Sequence, residues 1–214
     1  MAKSKTKKKT SLMLIISAVL LIAVSVMSLC MMSLPMSKSV TSTTILGSTT
    51  TVNNETANAF DYIKEWTEKD EDGNSKLSAL KETIKKYEEG SIKNETLDKV
   101  NEANKQQVAI VECLIVVIIA AAVAMVLGLV ALILACVKKN GAGKVFGLLA
   151  LLCVLAIFIL SCIVYAFYNP VATALDGTIA GVTTTTTVVS AMTLLIVSLI
   201  GFVASTVTLV LSRK

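Results

Sequence analysis

Four uninterrupted apolar stretches, at 12–34, 108–137, 145–168 and 188–211, constrain this chain more than any other feature. A helix rising about 1.5 Å per residue needs roughly 20 apolar residues to cross about 30 Å of hydrocarbon, and each stretch meets that requirement. The first, third and fourth contain no charged residue, and the second contains only Glu112, near one end. Buried core helices of a soluble domain are a poor alternative, because too little polar chain remains to cover four of them. Hydrophobic residues make up 54% of the chain and charged ones 16%, where a soluble domain carries about 25% charged. The expected fold is an all-α integral membrane protein built as a four-transmembrane-helix bundle.

Orientation follows from the basic residues. Lys3, Lys5, Lys7, Lys8 and Lys9 precede the first stretch, Lys138, Lys139 and Lys144 separate the second from the third, and Arg213 and Lys214 close the sequence. In a four-pass chain all of these fall on one side, and none of the 15 acidic residues joins them. The positive-inside rule then places the short segments 1–11, 138–144 and 212–214 in the cytoplasm, and 35–107 and 169–187 outside. Anionic lipid headgroups facing these lysines account for the net charge of +5 without a nucleic-acid partner. The first stretch has the basic start of a signal peptide, but its apolar run exceeds the roughly 7–15 residues of a signal core. No small-residue cleavage site follows, and Leu29 spoils a lipobox before Cys30, so the stretch is expected to remain as a span.

The large first extracellular loop divides in two. Its Ser/Thr-rich part, 39–56, lacks helical periodicity and is expected to be an extended stalk with a short strand about Ile45. Beyond it, 57–107 is expected to be helical. Ala59, Phe60, Ile63 and Trp66 share one helix face, then Leu77, Leu80, Ile84 and Tyr87 share another that ends at Gly90. Leu97, Val100, Asn104, Val108 and Val111 continue at helical spacing, which predicts a helix running unbroken into the second span. Lys138 to Lys144 is expected to form a tight turn. Asn169-Pro170 is expected to break the third span, Asp176-Gly177 and Gly181 to keep the second loop irregular, and Thr183 to Thr187 to lead into the fourth helix.

Few residues carry chemistry. Asp70, Asp72 and Asn74 match the first, third and fifth positions of a calcium loop, but Ser75 stands where glycine is needed and Lys81 where a bidentate glutamate should close the shell. A solvated turn capping the next helix explains the pattern better. Asn54 and Asn94 each begin an Asn-Glu-Thr glycosylation sequon on the predicted exterior side. Five cysteines, Cys30, Cys113, Cys136, Cys153 and Cys162, all sit in or beside the spans, so the loops are not a disulfide-stapled module. Cys136, two residues before Lys138, is an acylation candidate.

Within the spans, small residues recur at helix-contact spacing: Ser11, Ala18 and Ser25, then Ala120, Ala124 and Gly128, then Ala191, Ser198, Gly201 and Ser205. Such residues let backbones approach closely in lipid, within one bundle or between copies. Mid-membrane charges and broken helices, the usual marks of a transport path, are absent from the sequence pattern. The chain has no histidine, which removes the commonest general base and zinc ligand. No catalytic residue, cofactor or metal is expected.

Four spans with a large first loop and a small second loop resemble the claudin layout. That family's loop carries a Trp-rich motif and a cysteine pair, whereas here Trp66 stands alone and the loop has no Cys. Tetraspanins place the large loop second. The likeness is one of arrangement, and no residue role is carried over. The expected function is a multi-pass scaffold or accessory subunit, partnered by membrane lipids and by other membrane proteins or itself. A small oligomeric channel and a cell-surface sensor are the alternatives.

Overall fold

The computed structural model describes residues 2–45, 48–90, 94–173, 177–179 and 182–212. Asp176, Gly181, Arg213 and Lys214, and the side chain of Ser11, lie outside the described residues. Helix α1 spans Ala2–Met32, strands β1 and β2 span Ser37–Ile45 and Ser48–Glu55, and helices α2 and α3 span Ala59–Thr67 and Lys76–Glu89. Helix α4 is Glu95–Cys136, α5 is Asn140–Ala172, β3 is Gly177–Ile179, β4 is Val182–Val188 and α6 is Ser190–Leu211. Four helices, α1, α4, α5 and α6, are long and apolar enough to cross a membrane.

The chain forms two compact units. One comprises 1–31, 116–162 and 192–214, and the other 32–115 and 163–191. The first is a helical bundle whose core joins Leu14, Leu21, Val24, Ala124, Ala135, Ala150, Leu151, Val154 and Leu209. Small side chains set its close contacts. At Gly128 a methyl group would sit 2.9 Å from Ile22 Cγ1, and at Gly201 it would meet Val24 Cγ2 at 2.2 Å. Glycine lets these helices approach to backbone distance, the contact that replaces hydrophobic driving force in lipid. Large apolar side chains point outward instead, Ile133 and Ile200 being 61% and 63% exposed, as expected where hydrocarbon is the solvent. Two serine hydroxyls in the bundle, among others, bond back to their own helix: Ser25 donates to the Leu21 carbonyl at 2.8 Å, and Ser161 to that of Ile157 at 2.6 Å.

The second unit departs from an all-α fold. It contains a four-stranded antiparallel sheet in the order β2-β1-β4-β3. The expected stalk at 39–56 is the β1–β2 hairpin, and the Thr run expected to lead into the last helix is strand β4. Threonine is β-branched and fits a pleated surface, and facing rows place Ser39 opposite Thr186 and Thr41 opposite Thr184. The strand expected about Ile45 is the end of β1. Helices α2 and α3 follow the periodicity, and both are capped by side chains. Asn58 accepts from the Asp61 N–H at 3.0 Å, and Ser75 forms a reciprocal capping box with Ser78. Helix α4 runs unbroken through the second span, as its spacing predicted. Pro170 does not break α5, which continues to Ala172. It lies within the last turn, so the hydrogen bond forfeited by its missing N–H falls at the helix end and leaves the interior of α5 intact.

Candidate functional site

The second unit is organised around a knot at the base of the sheet. The Ser37 N–H donates to Thr56 Oγ1 at 2.8 Å, and the Thr56 N–H and hydroxyl both donate to the Ser37 carbonyl, at 3.0 and 3.2 Å. The Met36 N–H donates to the Ala57 carbonyl at 3.0 Å, while the Met36 carbonyl accepts from the Val189 N–H at 3.0 Å. The start of β1 is thus tied both to the end of β2 and to the end of β4. Met36, Ser37, Ala59 and Val188 are buried here.

Aromatic side chains continue the knot. Tyr168 brings its hydroxyl to 3.4 Å from Ser37 Oγ, and its ring meets Tyr62 edge-on with centroids 6.5 Å apart. Tyr62 lies 6.3 Å from Trp66, and its hydroxyl accepts from Gln107 Nε2. Edge-on and tilted pairs of this kind favour one geometry over a sliding contact. Burial raises the Tyr62 phenol above its ordinary pKa, with the Gln107 bond working the other way. The neutral phenol is therefore the form that suits the fold.

Helix α3 and the first part of α4 form an antiparallel pair beside this knot. Lys81 meets Glu112 at 2.6 Å, Glu88 meets Lys105 at 2.8 Å, and the Tyr87 hydroxyl donates to Asp98 Oδ1 at 2.6 Å. Residue numbers rise on one helix as they fall on the other. A shallow groove between them is lined by Ile84, Val108 and Ala109 with Lys81, Lys105 and Glu112 around them. The ion pairs are half exposed and screened by solvent, so they serve mainly to set register.

The sheet ends in an unpaired strand. Its register from Lys38↔Glu55 to Ile45↔Ser48 shows no slip, and among the described residues β2 has no partner on its other side. Residues 51 to 55 are all exposed. Natural edge strands are blunted by lysine, proline, bulges or short length. Strand β2 has eight residues and none of these devices; its only charge, Glu55, pairs with Lys38 at 2.6 Å.

Ala18, Ser25, Ala124, Gly128, Ala191, Ser198, Gly201 and Ser205 are buried within the chain itself, and Ala120 is half-buried. These small residues are already covered, so a contact with a second copy has to use other surfaces. Asp70 accepts from the Asn74 N–H at 2.8 Å and Gly73 takes a φ of 79°, which makes 70–74 a self-satisfied turn. Asp70, Asp72 and Asn74 are exposed, and no group of metal-holding side chains forms among the described residues. Asn54 is exposed on β2, and Asn94 caps α4 by accepting from the Leu97 N–H at 2.8 Å. Cys136 is exposed at the end of α4. Ser37, Thr56, Tyr62, Gln107 and Tyr168 went unnoticed in the sequence because only the fold brings them together.

Comparisons with protein-family models, with curated proteins and with solved structures returned no match for this chain. The fold defines its class: a multi-pass membrane protein whose four long helices accompany a small sheet-and-helix unit.

Proposed function

We propose that this protein is a tetraspan scaffold or accessory subunit of the cell surface, which binds other membrane proteins through the sheet-bearing unit. One observation carries the reading: among the described residues β2 leaves its outer row of backbone donors and acceptors unpaired, and it has no lysine, proline or bulge to discourage strand addition. An extended segment from another chain can add there by main-chain hydrogen bonds, a recurring recognition mode. The knot of Ser37, Thr56, Tyr62 and Tyr168 holds that edge in a fixed shape, which lowers the ordering cost of binding. The partition of basic residues supports cytoplasmic termini and an exterior sheet. The buried small residues favour other surfaces for assembly. No catalytic role is assigned.

A photo-reactive residue at Thr51 or Asn53 tests this in intact membranes, with Lys85 on exposed α3 as the comparison. The proposal expects a discrete cross-linked product from the β2 positions and little from Lys85. Equal, diffuse cross-linking from all three would contradict it.

A second reading, a small oligomeric channel, rests on Ser17 and Ser205. Their hydroxyls are buried in the bundle with no hydrogen-bond partner among the described residues, where water would satisfy them. Ion flux in reconstituted liposomes decides it, and no flux rules it out.

A further inference from the structure

The turn between α4 and α5 holds a lysine in a conformation that lysine rarely adopts. Helix α4 ends in a double hydrogen-bonded cap, with the Lys139 N–H donating to the Leu134 carbonyl at 2.9 Å and the Lys138 N–H to that of Ala135 at 3.1 Å. This motif requires a left-handed residue at the position of Lys138, where glycine is usual and asparagine an occasional substitute. Lys138 has a φ of 61°. A side chain costs stability there that glycine would not. Strain kept in a short turn points to a use for the side chain.

Lys138 has company. Lys139 follows it immediately before α5, and Lys144 lies near the start of that helix. None of the three is in an ion pair among the described residues. The first turn of α5 directs backbone N–H groups toward the same turn, and Lys139 has no side-chain acceptor to cap them. Beside Lys144 a cleft of about 180 Å³ is lined by Val145, Leu148 and Leu209. Val145 and Leu148 are largely exposed, while Leu209 forms the floor. Cationic and apolar groups therefore adjoin at the end of two membrane-length helices.

We infer that this turn is a binding site for an anionic phospholipid. Lys138, Lys139 and Lys144 take the phosphate-bearing headgroup, and the Val145–Leu148–Leu209 cleft takes the start of an acyl chain. Charge complementarity selects the occupant: three lysines with no ion pair among the described residues, one of them lining an apolar cleft, match a lipid with net negative charge, and a zwitterionic lipid offers them less. The site holds whichever side of the membrane this end faces, so it stands apart from the scaffold proposal.

Native mass spectrometry of the full-length protein in mild detergent tests the site, with phosphatidylglycerol and phosphatidylcholine as probes. The wild type is expected to retain phosphatidylglycerol preferentially. Changing Lys138, Lys139 and Lys144 together to glutamine should weaken the tightest-bound lipid about a hundredfold, at about fivefold per lysine. Glutamine at positions 3, 5, 7, 8 and 9 should leave that lipid in place. Lys138→Gly separates strain from binding: it should raise the thermal midpoint by a few degrees while weakening lipid retention about fivefold. Equal retention of the two lipids by the wild type would overturn the inference. So would a loss in the N-terminal variant as large as that in the turn variant.

Discussion

Replacing Gly201 with alanine is expected to destabilise the bundle by about 1–3 kcal/mol, the usual cost of forcing a methyl group into a filled core. The added carbon would lie 2.2 Å from Val24 Cγ2, 2.6 Å from its Cγ1 and 2.9 Å from its Cβ. No rotamer of a β-branched valine clears all three, so the α1–α6 contact must open. Val24→Ala in the same chain removes two of the overlapping atoms and should recover most of the loss. Gly147 provides the opposite sign within the same unit. A methyl group there meets Leu209 Cδ1 at 3.6 Å, an ordinary contact, so Gly147→Ala should gain about 0.5–1 kcal/mol from helix propensity. Thermal unfolding in detergent, read by tryptophan fluorescence or circular dichroism, distinguishes the pair. A neutral Gly201→Ala would mean that α1 and α6 are not in contact at Val24.

Proline at Thr41 should have the second large effect. Thr41 lies in β1, the strand paired on both sides, opposite Val52 on β2 and Thr184 on β4. Proline removes a ladder donor and places a ring in the pleat, which central strands do not accept. The lost hydrogen bonds and the groups left unpaired cost about 1–3 kcal/mol. Amide exchange should speed up along Ser37–Ile45, Ser48–Glu55 and Val182–Val188 together, because the three strands share one ladder. The same proline in a flexible stalk would change nothing, so unaltered exchange would mean that the sheet does not form.

The contrast between helices and sheet shows what the sequence made legible. The spans were visible because lipid demands long apolar runs, and no other arrangement of 12–34 or 145–168 satisfies their backbone groups. Helices α2 and α3 were visible through their apolar spacing, and the structure adds the caps at Asn58 and Ser75. The sheet was hidden for a physical reason. Its strands are made of Ser and Thr, so there is no alternation of apolar and polar residues to mark a buried face. The pattern becomes apolar only at the base, where Met36 and Val188 are buried. The partner of β1 is also more than a hundred residues away in β4, as the 143-residue separation of the Thr41 and Thr184 hydroxyl pair shows. Thr-rich runs in both loops were the available signal, through β-propensity alone. Pro170 misled for a similar reason: a local breaker rule competes with helix end position, and here the position decides.

The scaffold proposal rests on several features of the second unit. These are the eight-residue edge strand β2, the hydrogen-bonded aromatic knot and the helix pair held by exposed ion pairs. The measurement that tests the scaffold proposal most directly is mass determination of the tagged protein after gentle solubilisation from its native membrane, with identification of whatever accompanies it. The proposal predicts a defined complex, containing either a stoichiometric membrane-protein companion or further copies of this chain, that falls apart when β2 is disrupted. A lone 22.7 kDa chain in its detergent micelle would contradict it.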